Sequence, residues 1–200
     1  MLLLNYQVIA LVRKGSEHKL PSGAEPIVGN PFDARSFVGN VPVGSIYFQL
    51  LGVPHPSPKK ANLFKEIDLQ SVRTSADAAS HAGVSHFIYV SVAQSPSKIM
   101  RTYQAVRKQG EEYCIQKDLT CTFIRPWYVL GPGRWWPVLL LPVYGLAEII
   151  PGLRPKARSK ALVTIRQMLR ALVNAVEEKP ASSSIIEIKG IRSAHDKVFP

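Results

Sequence analysis

Tyr103 and Arg107 stand four residues apart in a stretch, residues 99–117, that reads as a helix between two strands. That spacing places both side chains on one helix face, where a guanidinium beside a phenol favours the phenolate and readies it to exchange a proton. The preceding run, residues 86–92 (HFIYVSV), is β-branched and aromatic and follows a break at Gly83; residues 120–125 (TCTFIR) form a second such run. Each suits a strand buried on both faces better than a surface strand of alternating polarity. Strand, loop, helix, strand and then the loop Gly131-Pro132-Gly133 make up half of an α/β active site.

The elements that must position this half read as follows. Strands are expected at residues 7–12, 26–28, 45–50, 86–92 and 120–125, with helices at 60–82 and 99–117. Strands alternating with helices argue a parallel sheet with helices on both faces, an α/β, Rossmann-like architecture. Further on, residues 164–178 read as an amphipathic helix with Thr164 as its N-cap, with a stripe of Ile165, Met168, Leu169, Leu172, Val173 and Val176, and residues 185–188 as a last strand. The Pro-rich residues 54–58 and the Ser-rich residues 180–184 are loops.

On these residues the chain resembles the short-chain dehydrogenase/reductase superfamily, in its extended or atypical, epimerase-like branch, over most of residues 7–178. That family carries a Ser at a strand end, Tyr-x-x-x-Lys on the next helix, and a strand closing in Arg-Pro before a Gly-Pro-Gly loop. Here these positions are Ser91, Tyr103 with Arg107, Arg125-Pro126, and Gly131-Pro132-Gly133. The resemblance implies an NAD(P)-dependent oxidoreductase or epimerase in which Tyr103 passes a proton at a carbinol or carbonyl. Arg107 would stabilise the phenolate and Ser91 would hold the oxygen. Two departures stand out. Arg107 replaces the family lysine, with Lys108 about 100° further round the helix, and Val92 replaces the second serine of the strand end. A guanidinium supplies charge but not the compact three-donor geometry of an ammonium. A non-catalytic descendant that binds a dinucleotide or a protein partner is therefore the alternative.

The same resemblance implies the cofactor contacts. Arg13 and Lys14 follow the strand at residues 7–12, from which family members choose between nicotinamide dinucleotides; positive charge there suits a 2′-phosphate, hence NADP over NAD. Asn30 stands for the family's adenine-binding Asp in Gly29-Asn30-Pro31-Phe32-Asp33, and its amide oxygen can still accept a hydrogen bond. Pro31, Leu51, Gly52 and Pro126 complete the implied cofactor-binding set, beside Ser91, Tyr103 and Arg107. Residues 1–40 lack the Gly-rich strand-turn-helix that grips the pyrophosphate, since Gly15, Gly23, Gly29 and Gly39 are isolated. The expectation is a sheet of order 3-2-1-4-5-6 without its first strand, in a chain that is N-terminally truncated or, alternatively, naturally rearranged.

Composition sets the limits. With 200 residues, 46% of them hydrophobic, the chain has the makings of one domain with a full core. Cys114 and Cys121 make no disulfide framework and fit a reducing, cytoplasmic setting, and the five histidines lack metal-ligand spacing. The net charge of +11 draws anions, but the basic residues are dispersed and no nucleic-acid-binding motif is present, so specific binding to DNA or RNA is not expected. The start has neither a basic region nor a cleavage site and reads poorly as a secretory signal. Residues 134–162 read as a small apolar lobe, a lid over an apolar small-molecule substrate or plain core. Trp135 and Trp136, followed by the basic residues Arg154, Lys156, Arg158 and Lys160, also offer peripheral membrane contact, and a peripheral membrane or quinone-associated protein is a further alternative.

Overall fold

The computed structural model describes residues 1–54, 56–97, 99–131 and 161–194. His55, Lys98, Pro132, Gly133 and residues 134–160 of the apolar lobe, Trp135 and Trp136 among them, lie outside the described residues.

A four-stranded parallel sheet carries the core: β3 (Ile46–Gln49), β4 (His86–Val90), β5 (Cys121–Arg125) and β8 (Ser184–Glu187), hydrogen-bonded in that order. β1 (Val8–Val12) and β2 (Ala24–Val28) form a separate parallel pair, and β6 (Tyr128–Leu130) and β7 (Leu162–Thr164) another. The helices are α1 (Gln70–His81), α2 (Arg101–Gln116), α3 (Ile165–Glu177) and the short α4 (Ile188–Arg192). The alternation of strand and helix thus gives the expected parallel sheet covered on both faces. The expected sheet order meets a gap: β1 and β3, between which that order puts its first strand, do not pair with each other.

Period-two alternation explains the two layers. Phe87, Tyr89, Cys121 and Phe123 pack with Phe64 and Val72 on the side of α1 and α2. Ile88 and Ile124 point the other way, onto Val163, Met168 and Ala171 of the α3 side. Each of these large side chains contributes roughly 1.5–3 kcal/mol by leaving water. Gly110 lets α2 approach: a Cβ there would lie 2.8 Å from Val72 Cγ1 and 3.1 Å from Tyr89 Oη. The glycine costs about 1 kcal/mol of helix propensity against alanine, which the close helix contact offsets.

Several details differ from the sequence expectation. The helix expected at 60–82 is a helical turn, Ala61–Leu63, then a π-helical turn, Phe64–Leu69, before α1 begins. Thr164 does cap α3, in a reciprocal box with Gln167. However, Ile165 and Leu169 of the expected apolar stripe face outward, because Ala171 and Ala175 take the core positions beside Met168 and Val176. The sequence pattern does not announce β6, β7 or α4; β6 and β7 are three residues long, too short to show a period. No described helix is long and apolar enough to cross a membrane.

His86 is wholly buried on β4, with Nε2 2.9 Å from Thr122 Oγ1, itself 3.1 Å from Ser184 Oγ on β8. Burial, and then the charge of Lys179, holds its pKa below the ordinary 6.5. Above that value the ring is neutral in folded and unfolded chains alike. Below it the unfolded chain takes up a proton that the folded chain refuses, so stability rises with pH there, by up to about 1.4 kcal/mol per unit. Urea midpoints should therefore decline as the pH is lowered below about 6.5, and the decline should be shallower in His86→Gln.

Candidate functional site

Ser91, Tyr103, Arg107 and Pro126 line one cavity of about 260 Å³, with Leu50 and Trp127. It opens at the carboxyl ends of β3, β4 and β5, where open α/β sheets place their ligands. Each side chain arrives there for a local reason. β4 runs on past Val90, as Ser91 N–H donates to Ile124 O (2.8 Å) and Ala93 N–H to Pro126 O (2.9 Å). The loop that follows is pinned by Gln104, whose Nε2 donates to Ala93 O and Ser95 O, both at 2.7 Å. Met100, Tyr103 and Arg107 then reach the cavity from successive turns of one helix face.

The guanidinium of Arg107 is 5% exposed and is held on three sides. Nη2 lies 2.5 Å from Asp68 Oδ1, while Nη1 donates to Val90 O (3.1 Å) and Tyr89 Oη (3.3 Å). Its carbon sits over the Tyr103 ring, 5.2 Å from the centroid. Burial works against its charge, yet Tyr89, Tyr103 and Asp68 outweigh burial and raise its pKa. Burial likewise pushes the Asp68 carboxyl above its ordinary value, against the pull of Arg107 and the Val53 N–H. At 2.5 Å from a guanidinium that stays charged, Asp68 is the ionised partner at neutral pH. Tyr89, buried beside them, is held as a neutral phenol by desolvation.

Two backbone features build this pair. The π-helical turn brings Asp68 inward, where it also accepts from Val53 N–H at 3.2 Å. Gly52 leaves the space for it: a Cβ there would fall 2.0 Å from Arg107 Nη2 and 2.8 Å from Asp68 Oδ1. Gly52 thus packs against the ion pair. Ser91 is 5% exposed, and its Oγ has no hydrogen-bond partner among the described residues. A buried, unanswered hydroxyl in the wall of a cavity is poised for a ligand oxygen or amide.

The other expected site residues are not brought to this cavity. Leu51 is half-buried next to Leu50 and does not line it. Arg13 and Lys14 are exposed after β1, and Asn30 and Pro31 follow β2, in the other sheet. Asn30 Oδ1 accepts from Phe32 N–H (3.1 Å), closing its own turn. Arg125 of the Arg-Pro pair serves the framework: it grips Glu111 on α2 through two nitrogens, at 3.0 and 2.5 Å, and Glu187 on β8 at 2.9 Å.

Asp68, Tyr89 and Trp127 join the site without being among the residues that the sequence motif points to. A signal for Asp68 was present, since Phe64, Asp68, Val72 and Ala76 recur at intervals of four and place one carboxylate in an otherwise apolar row. Tyr89 and Trp127 carried none, as each also reads as ordinary core.

Parallel sheets flanked by helices, with a pocket at the strand ends, define a Rossmann-like α/β fold. No family model and no curated protein matches the chain. Among solved structures it is similar to MoeE5 in complex with UDP-glucose and NAD (16% identity, TM-score 0.66, covering 94% of this chain and 72% of that one). It is also similar to a UDP-galactose 4-epimerase (17%, 0.66, 93% and 70%) and to the Bordetella bronchiseptica enzyme WbmH in complex with NAD+ (15%, 0.64, 94% and 72%). The fold is thus the one on which NAD-bound, epimerase-type structures are built.

A dinucleotide fits the described residues in part. The cavity, with its orphaned Ser91 hydroxyl and aromatic walls, is of a size for the nicotinamide end alone. No glycine-rich turn opening a helix follows β1 among the described residues, so a pyrophosphate cradle of that kind is not present there.

Proposed function

We propose that this chain is an NAD(P)-dependent oxidoreductase or epimerase-like protein acting on a hydroxyl or carbonyl of an apolar small molecule. The observation that carries the reading is the convergence of Ser91 Oγ, Tyr103 and Arg107 on one cavity at the ends of β3 to β5. Bound there, the nicotinamide would supply or accept hydride. Ser91 would donate to the substrate oxygen, and Tyr103 would pass the proton. Arg107, fixed by Asp68, would act on Tyr103 by its charge at the ring face. Leu50, Val53 and Trp127 would keep water from the reacting carbon. NADP is preferred over NAD because Arg13 and Lys14 are free to meet a 2′-phosphate at the end of β1.

One observation favours a second reading, a non-catalytic descendant that binds a dinucleotide weakly or a protein partner. Arg107 spends its hydrogen bonds on Asp68, Tyr89 and Val90, in the manner of a structural strut. Thermal unfolding separates the two. NADPH at a hundredfold excess over its Kd should stabilise the fold by about 2.7 kcal/mol and so raise Tm, NADH at the same concentration should raise it less, and Arg13→Ala should narrow the difference. No shift with either nucleotide would leave the second reading in its place.

A further inference from the structure

We infer that the cavity at the ends of β3 to β5 selects its ligand by charge, because the buried Arg107–Asp68 pair makes it a site for the carbonyl of an uncharged ketone or aldehyde and bars oxo acids and other anions. On the oxidoreductase reading of that cavity, from which this follows, the substrate class narrows accordingly. Asp68 sets the preference through Arg107, without touching the ligand.

Among the described residues that line the cavity, Arg107 alone carries a full charge and none is acidic. A guanidinium by itself in an apolar wall is a natural receiver of a carboxylate or phosphate. Here it is already answered. Asp68 is fully buried, is not part of the cavity wall, and sits 2.5 Å from Arg107 Nη2. Nη1 is committed to Val90 O and Tyr89 Oη. Among the described residues only Nε of that guanidinium lacks a partner, and Ser91 Oγ is a second buried donor without one. The wall therefore offers donors but little net charge.

That balance decides between two kinds of acceptor. A ligand carboxylate at the wall would be drawn by Arg107 and repelled by Asp68 from only slightly farther away. Coulomb energy falls as the inverse of distance, so the two contributions largely cancel there. The remainder does not repay taking a carboxylate out of water. A carbonyl is far easier to desolvate and needs only a donor, which Ser91 supplies. Leu50, Val53, Met100 and Trp127 then cover its apolar body.

Acetophenone, benzoate and benzamidine share one size and shape and differ in charge, so calorimetric titration of each into the nucleotide-free protein reads the selection directly. Salt at about 0.15 M screens the long-range pull of the net charge of +11. Acetophenone should bind at least about tenfold more tightly than either ion. In Asp68→Asn, whose amide fills the space of the carboxylate, benzoate should gain at least about tenfold while acetophenone changes by less than about twofold. Arg107→Gln is the mirror case and keeps the test open where Asp68→Asn does not fold: there benzamidine should gain by a similar factor and benzoate should not. Equal binding of benzoate and acetophenone by the unmodified protein overturns the proposal, as does no binding of acetophenone, or a folded Asp68→Asn that still refuses benzoate. The NADPH shift in Tm is read separately. Its absence beside intact charge selection would count against the oxidoreductase reading alone, and its presence beside equal binding of benzoate would count against the charge selection alone.

Discussion

Asp68→Ala should lower the free energy of unfolding by about 3–5 kcal/mol, the cost of leaving a buried charge without its partner. Arg107 is 5% exposed and Asp68 is fully buried, so water cannot replace the lost carboxylate without opening the packing of Phe64 and Val53 around it. The remaining acceptors, Tyr89 Oη and Val90 O, are neutral. The double variant Asp68→Ala/Arg107→Met should recover most of the loss, since a well-packed apolar replacement of an ion pair is often neutral. Urea unfolding of the two single variants and the double gives the coupling directly. A cost under about 1 kcal/mol for Asp68→Ala would place the pair among solvent-screened surface bridges and deny it the role described here.

Tyr103→Phe should reduce turnover by at least about a hundredfold, the lower range for removing a general acid or base. NADPH oxidation over a panel of apolar ketones and aldehydes is the measurement, with the NADPH-induced Tm shift retained as proof that the pocket still binds. The ring itself stays, and with it the contacts to Phe64 (4.9 Å between centroids) and to the guanidinium. The loss would thus belong to the hydroxyl. Undiminished turnover in the variant would remove Tyr103 from the chemistry and shift attention to Ser91.

Much of the layered sheet was legible because its strands are long unbroken apolar runs. HFIYV and CTFIR leave few alternatives to a covered parallel strand, and α2 between them follows from its length. The convergence of Ser91, Tyr103, Arg107 and Pro126 on one cavity could be read from a motif whose parts all sit at the same ends of adjacent strands. What was not legible depends on irregular backbone or on distance. The inward turn of Asp68 needs a π-helical stretch that no spacing announces, and Gly52 reads as a loop residue until the ion pair beneath it is seen. The Arg125 clamp joins residues 14 and 62 positions away, beyond any local pattern. Ile165 and Leu169 misled because a stripe on a helix says which residues are apolar, while small alanines decided which side could come close.

The wide helical turn at Phe64–Leu69 has a consequence for how this chain tolerates length changes. A π turn is in effect one residue more than an α-helix would hold, and such turns mark functional positions more often than chance. Excising a single residue there would let the backbone close into a regular helix and swing everything upstream by about 100°. Asp68 would then leave Arg107, or Phe64 would leave the core. The register of one helix therefore carries the charge balance of the pocket, and a deletion that looks silent in composition would rewrite it.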